Sequence, residues 1–178
     1  PELCGLNVTI PYKSEIIKYL DVIDNEAVDV GAVNVLKVSE NGSRRIIKGF
    51  NTDVFGFRES LIRDLRERKI KNAIVLGTGG SSKAVSCVLK QNDIEIIQVS
   101  RKRGENVVSY RDLTDEILSN CKLIVNTTPV GMYPDVNSKP DLNYSCLTPE
   151  HILFDLIYNP ALTTFMKKGK EQGCKIIG

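Results

Sequence analysis

Apolar and polar residues change their spacing along this chain, and the change divides it in two. Up to about residue 50 the apolar positions come in short stretches. Leu6–Ile10, Ala32–Val38 and Arg45–Gly49 read as strands, with Asn41-Gly42 as a hairpin signal between the last two. Asn7, Thr9 and Pro11 fall on one face of the first strand, because side chains alternate along extended backbone. Pro11 stops the ladder, and Ser14–Leu20 has the spacing of a short amphipathic helix. Val54, Phe57, Leu61 and Leu65 then recur every three or four residues and predict a helix over Val54–Arg68. Its other face, with Arg58, Arg63, Asp64, Arg66, Glu67 and Arg68, reads as solvated.

From Lys71 the pattern is different. Ala73–Leu76 is a continuous apolar run, the mark of a strand buried on both faces. A glycine cluster follows, then a helical stretch to about Gln91. Further strands are predicted at Ile94–Val99, Leu123–Asn126 and Ile152–Leu156. Such strand–helix alternation predicts an α/β fold with a doubly wound parallel sheet. The boundary is placed beside the Val54–Arg68 helix, giving domains over 1–53 and 54–178.

Composition narrows the function classes. The chain is 42% hydrophobic and 26% charged, as a globular domain is. A net charge of +2 is too small to argue for nucleic acid or an anionic membrane. No apolar run reaches the length of a membrane span, and no signal-peptide pattern opens the chain. Cys4, Cys87, Cys121, Cys146 and Cys174 are odd in number and widely spaced, and His151 is the single histidine. This excludes a metal-site spacing and points to reduced thiols in the cytoplasm. The opening Pro1-Glu2-Leu3-Cys4 has no initiator methionine and reads as the start of a fragment.

Four segments carry candidate chemistry. Lys13 follows Pro11 at the start of the predicted helix, where the helix dipole favours an anion over a cation. A solvated surface lysine and a functional one are both open on these grounds. Gly77-Thr78-Gly79-Gly80-Ser81-Ser82 follows a buried strand and opens a helix, the context in which a glycine turn cradles a pyrophosphate. Ser82 stands where the third glycine of G-x-G-x-x-G would be, and it is small enough for helix–strand packing. About twenty residues on, Ser100-Arg101-Lys102-Arg103 stands where NAD-binding folds carry an acid. Three cations there point to NADP, since Arg101 can hold a 2′-phosphate bidentately. The loop after the third strand, Asn126–Met132, lies where open α/β sheets bind ligands.

NVTIPYK, GAVNVL, GFNTDVFGF, VLGTGGSSKAV, NTTPVGM and DLIYNPALTTF occur in that order. Together they resemble the shikimate dehydrogenase family from Gly5 to Gly178. The resemblance implies NADPH-dependent, reversible reduction of 3-dehydroshikimate to shikimate in aromatic amino-acid biosynthesis, with a substrate domain and a Rossmann-like NADP domain around a cleft. It implies a cytoplasmic enzyme, monomer or homodimer, acting on a small molecule with no nucleic-acid or membrane partner. It makes Lys13 and Asp53 the catalytic pair, and Asn7, Thr9, Asn34 and Tyr158 substrate residues beside them. It assigns cofactor contacts to Gly77, Thr78, Gly79, Gly80, Ser81, Ser100, Arg101, Lys102, Thr127 and Leu156. The family's Asn-Arg-Thr signature is Ser-Arg-Lys here. Its first strand–helix unit, its carboxylate-gripping serines and its C-terminal helix are absent, so the N-terminal domain is expected to be incomplete. A quinate/shikimate dehydrogenase and a non-catalytic nucleotide-binding fragment are the alternatives.

Chemically, an ammonium suits carbonyl reduction as proton donor and as stabiliser of the developing alkoxide. Asp53 directly precedes the predicted helix and is also a candidate N-cap. His151 lies at the far end of its strand and is left out of the chemistry.

Overall fold

Antiparallel pairing dominates the first part of the chain and parallel pairing the second. The computed structural model describes residues 3–42 and 44–178, the side chains of Ile62, Arg63 and Arg66 excepted. It forms two units, Pro1–Ile62 with Gly79–Val88, and Arg63–Thr78 with Leu89–Gly178.

In the first unit, β1 (Gly5–Asn7), β2 (Val22–Ile23), β3 (Val35–Asn41) and β4 (Arg44–Phe50) form a mixed sheet in the order β1-β3-β4-β2. β3 and β4 are the predicted hairpin, with Asn41 opposite Arg44 and Gly42 at φ +65°. Helix α1 (Asn25–Val30) ends at Gly31, whose φ of +65° suits the left-handed cap position. Ala27, Val33 and Leu36 form the core, with Ile16, Ile17, Leu20 and Ile47 packed against them.

Two expectations fail here. The first strand stops at Asn7, not Ile10, because a turn begins at Ile10 and Tyr12 N–H closes onto the Thr9 carbonyl at 2.9 Å. Asn7, Thr9 and Pro11 therefore do not share one strand face. The predicted helix after Pro11 is a single 3-10 segment, Glu15–Tyr19, too short for the dipole argument to weigh on Lys13.

Helix α2 (Asp53–Arg68) follows the predicted period, with Val54, Phe57, Leu61 and Leu65 buried. Its outer face is not uniformly solvated. Asp64 is buried and accepts from Lys175 Nζ at 2.5 Å, and Arg68 donates to the carbonyls of Pro149 and Glu150. Arg58 pairs with Glu26 at 2.8 Å. The side chains of Arg63 and Arg66 lie outside the described residues.

The second unit carries a six-stranded sheet: β5 (Asn72–Leu76), β6 (Glu95–Ser100), β7 (Val107–Ser109), β8 (Leu123–Asn126), β9 (Ile152–Asp155) and β10 (Lys175–Ile177). The order is β10-β9-β8-β5-β6-β7, and every neighbouring pair is parallel. This is the predicted Rossmann-like sheet, with chain order reversing between β5 and β8. Helix α3 (Gly80–Gln91) follows β5. α4 (Asp115–Asn120) and α5 (Thr164–Glu171) are capped by the Thr114 and Thr163 hydroxyls. The sequence pattern misses β7 and β10, edge strands of three residues whose side chains are only partly covered.

Ile74, Leu76, Ile124, Leu153, Phe165 and Met166 centre the core of this unit. His151 is wholly buried within it, with Nε2 3.0 Å from the Leu118 carbonyl oxygen and Nδ1 accepting from Thr148 N–H at 2.9 Å. No helix among the described residues is long and apolar enough to cross a membrane.

Candidate active site

Lys13, Asn34, Asp53 and Ser81 meet in the first unit through side-chain hydrogen bonds. Main-chain bonds bring them there. The Lys13 carbonyl accepts from Val33 N–H at 2.7 Å, and Asn34 N–H donates to the Phe50 carbonyl at 3.0 Å. The Asn34 carbonyl accepts from Val8 N–H at 2.8 Å, which sets the segment bearing Asn7 and Thr9 alongside. Both of those residues are exposed. Asn51 is buried and braces the start of α2, donating to the Ala32 carbonyl and accepting from Val54 N–H.

Lys13 Nζ donates to Asp53 Oδ2 at 2.6 Å and to Ser81 Oγ at 3.0 Å. Asn34 Nδ2 donates to Asp53 Oδ1 at 2.7 Å, so each carboxylate oxygen has a fixed partner. Thr52 N–H in turn donates to Asn34 Oδ1 at 2.9 Å and orients the amide. Asp53 is therefore not the cap of α2. The capping acceptor is Asn51 Oδ1, and the Asp53 carboxylate is turned toward the lysine. The lysine and aspartate side chains are 12% and 25% exposed, so the pair is largely screened from water yet open to a ligand. An ammonium has three N–H groups, and among the described residues two of them have partners.

The glycine turn is built for close approach. Gly77 has φ +108°, and a Cβ there would lie 2.7 Å from Thr127 Oγ1. Thr127 Oγ1 is fixed by the Leu76 carbonyl at 2.6 Å, and Gln98 Nε2 donates to the Gly77 carbonyl. Gly77 and Thr127 thus stand together at the carboxyl ends of β5 and β8, where the sheet order reverses. Gly79 differs: a Cβ on it would meet nothing within 4 Å. The first turn of α3 contains no acidic residue.

At the end of β6, Ser100 is half-buried and Arg101 and Lys102 are exposed. Arg103 pairs with Asp112 at 3.1 Å, whereas Arg101 and Lys102 form no ion pair among the described residues. Leu156 is half-buried just past β9, and Tyr158, in the second unit, is 89% exposed.

One network escaped the sequence reading. Asp155, 1% exposed, accepts from Asn126 Nδ2 at 3.0 Å, Ile157 N–H at 3.1 Å and the Thr163 hydroxyl at 2.6 Å. Asn126 Oδ1 accepts from the Thr128 main chain and hydroxyl. The loops carrying Thr127 and Leu156 are thereby fastened to each other. Burial pushes the Asp155 carboxyl above its usual range, and the Thr163 hydroxyl, Ile157 N–H and Asn126 amide oppose that shift only in part. The polar pair at the ends of two apolar strands, Asn126 and Asp155, was the available signal.

Residues 1–36 match the family model for the shikimate dehydrogenase substrate binding domain. A shikimate dehydrogenase (NADP(+)) of Methanococcus vannielii is 42% identical over 98% of this chain. The chain belongs to the shikimate dehydrogenase family. It spans 66% of the length of that relative. The Thermus thermophilus shikimate 5-dehydrogenase, solved with NADP(H) and shikimate, superposes with a TM-score of 0.77 at 31% identity, over 98% of this chain and 66% of that one. A quinate dehydrogenase from Corynebacterium glutamicum, solved with NAD, gives 0.81 at 27% identity, again over 98% and 66%.

Proposed function

We propose that the protein is an NADP-dependent shikimate dehydrogenase, reducing 3-dehydroshikimate reversibly to shikimate. The observation that carries this reading is the hydrogen-bonded set Lys13–Asp53–Asn34, joined through Ser81 to the helix that follows a dinucleotide-type glycine turn.

The residues fit the cofactor. The chain's own packing does not require glycine at position 79, whereas a pyrophosphate approaching the main chain does. Thr78, Gly79, Gly80 and Ser81 would offer main-chain N–H groups to it, reinforced by the α3 N-terminus, while Gly77, whose own N–H is bonded to the Val99 carbonyl at 2.8 Å, would leave room for it. Ser100, Arg101 and Lys102 would take the 2′-phosphate, for which two unpaired cations at a strand end are suited. Thr127 and Leu156 would hold the nicotinamide end. NADPH, when bound, supplies the hydride.

Lys13 gives its proton to the oxygen of the reduced carbonyl and stabilises negative charge there as it develops. Asp53 fixes the ammonium at 2.6 Å and offers an acceptor to a substrate hydroxyl. Asn34 holds the carboxylate from its other side, and Asn7 and Thr9 supply further polar contacts to the polyol. The reading carries with it a cytoplasmic enzyme, monomer or homodimer, that needs neither nucleic acid nor membrane.

The test is an assay of shikimate and quinate oxidation with NADP+ and with NAD+. Turnover of shikimate with NADP+ supports the reading, and inactivity with both polyols overturns it. A quinate/shikimate dehydrogenase is the second reading, favoured by the likeness to a quinate dehydrogenase bound to NAD and by serine and lysine flanking Arg101. Comparable rates with both polyols and both cofactors would select it. NADPH binding without any turnover would select a nucleotide-binding module.

A further inference from the structure

Helix α3 begins against the lysine. Ser81, its second residue, accepts from Lys13 Nζ at 3.0 Å. At Gly80, its first, an added Cβ would lie 2.8 Å from Lys13 Cβ and 3.2 Å from Cδ. The stem of Lys13 thus lies on the bare main chain of Gly80 while its ammonium is held by Ser81 from one side and Asp53 from another. These are separate observations, one steric and one polar, and both tie the same turn to the same side chain.

We infer that Ser81 is a positioning residue for Lys13. Its hydroxyl holds the ammonium in place, Gly80 makes room for the lysine stem, and the Ser81 main-chain N–H remains for the cofactor. Two bonds fix the direction of the third N–H, the one left to meet a substrate oxygen. The first turn of α3 and the proton donor are then one mechanical piece. This inference rests on the proposed role of Lys13.

The decisive comparison uses Ser81→Ala, Ser81→Thr and Gly80→Ala, with Lys13→Ala and the Lys13→Ala/Ser81→Ala pair alongside. Loss of a hydrogen bond to a charged group predicts that Ser81→Ala lowers kcat roughly 3- to 30-fold. NADPH affinity, read by fluorescence titration, should stay within about twofold, because alanine keeps the main-chain N–H that phosphate sites use. Ser81→Thr should restore most of the rate. Gly80→Ala should lower kcat at least as far as Ser81→Ala does, since its Cβ displaces the lysine stem. In the Lys13→Ala background Ser81→Ala should cost nothing further, since the coupling disappears with its partner.

An Ser81→Ala variant that binds NADPH weakly but turns over normally would assign the hydroxyl to phosphate and overturn the inference. So would an undiminished Ser81→Ala penalty in the absence of Lys13, or a threonine variant as slow as alanine. If Lys13→Ala is itself fully active, the proposed function of Lys13 falls and this inference with it. If Lys13→Ala is inactive while Ser81→Ala is normal, the Ser81 assignment alone fails.

Discussion

The two sheets of this chain are covered to very different degrees. β8 and β9 are buried at every position and β5 at all but its first, whereas every residue of β1 is exposed and β4 buries only Gly49. The parallel sheet is a scaffold held by apolar burial, worth roughly 25 cal/mol per Å2 removed from water. The mixed sheet has a small core of Ala27, Val33 and Leu36 and spends its ordered polar groups on Lys13, Asn34 and Asp53. Stability and chemistry are therefore expected to respond to different residues.

Lys13→Ala should produce the largest change, lowering kcat by roughly 10²- to 10⁴-fold, the range for a general acid–base group. Its denaturation midpoint should move less than that of a core truncation, because Asp53 keeps its bond from Asn34 and stays 25% exposed. A large loss of stability with normal turnover per folded molecule would break the division of labour. The mirror-image variant is Phe165→Ala in the other unit. Phe165 is wholly buried against Tyr144, with ring centroids 6.3 Å apart, and its truncation should cost about 3–5 kcal/mol in urea unfolding. The folded remainder should keep its kcat, and a slow but stable variant would contradict the comparison.

Arg101→Ala sharpens the contrast on the scaffold side. Loss of a charge-assisted bond should weaken NADP binding about tenfold or more and leave NAD binding nearly flat. Equal losses for both cofactors would mean the arginine acts through packing.

The smallest expected effect is on pH dependence. Because burial raises the folded-state pKa of Asp155, the native protein holds its proton more tightly than the unfolded chain. The resulting stability is fully present below the unfolded carboxylate pKa and is lost as pH rises through the folded value. Unfolding free energies measured across that window should show this decline in the wild type and lack it in Asp155→Asn. Identical slopes in the two proteins would dismiss the assignment.

The fold was legible where one periodicity ruled a whole element. The run Ala73–Leu76, the glycine turn and the three- and four-residue spacing of Val54, Phe57, Leu61 and Leu65 each specify their element locally. Short edge strands such as β7 and β10 were not, because three residues with none fully buried carry no distinct period. The first strand misled because Val8, Thr9 and Ile10 suit a strand by composition, while a turn beginning at Ile10, closed by the bond from Tyr12 N–H to the Thr9 carbonyl, ends the extended run.

The candidate site divides in the same way. The amino-acid sequence by itself determined which residues are present at which spacing: the glycine turn, the cations at the end of β6, and a lysine and aspartate in family-like motifs. Only the tertiary structure decided that Lys13 and Asp53 are 2.6 Å apart, that Asn51 and not Asp53 caps α2, and that Ser81 touches the lysine. It also decided that Asp155 and Asn126 lock two loops together. The physical reason is range. Helix and strand periods act between near neighbours, whereas a hydrogen bond across 40 or 68 residues exists only after sheet register has brought its ends together.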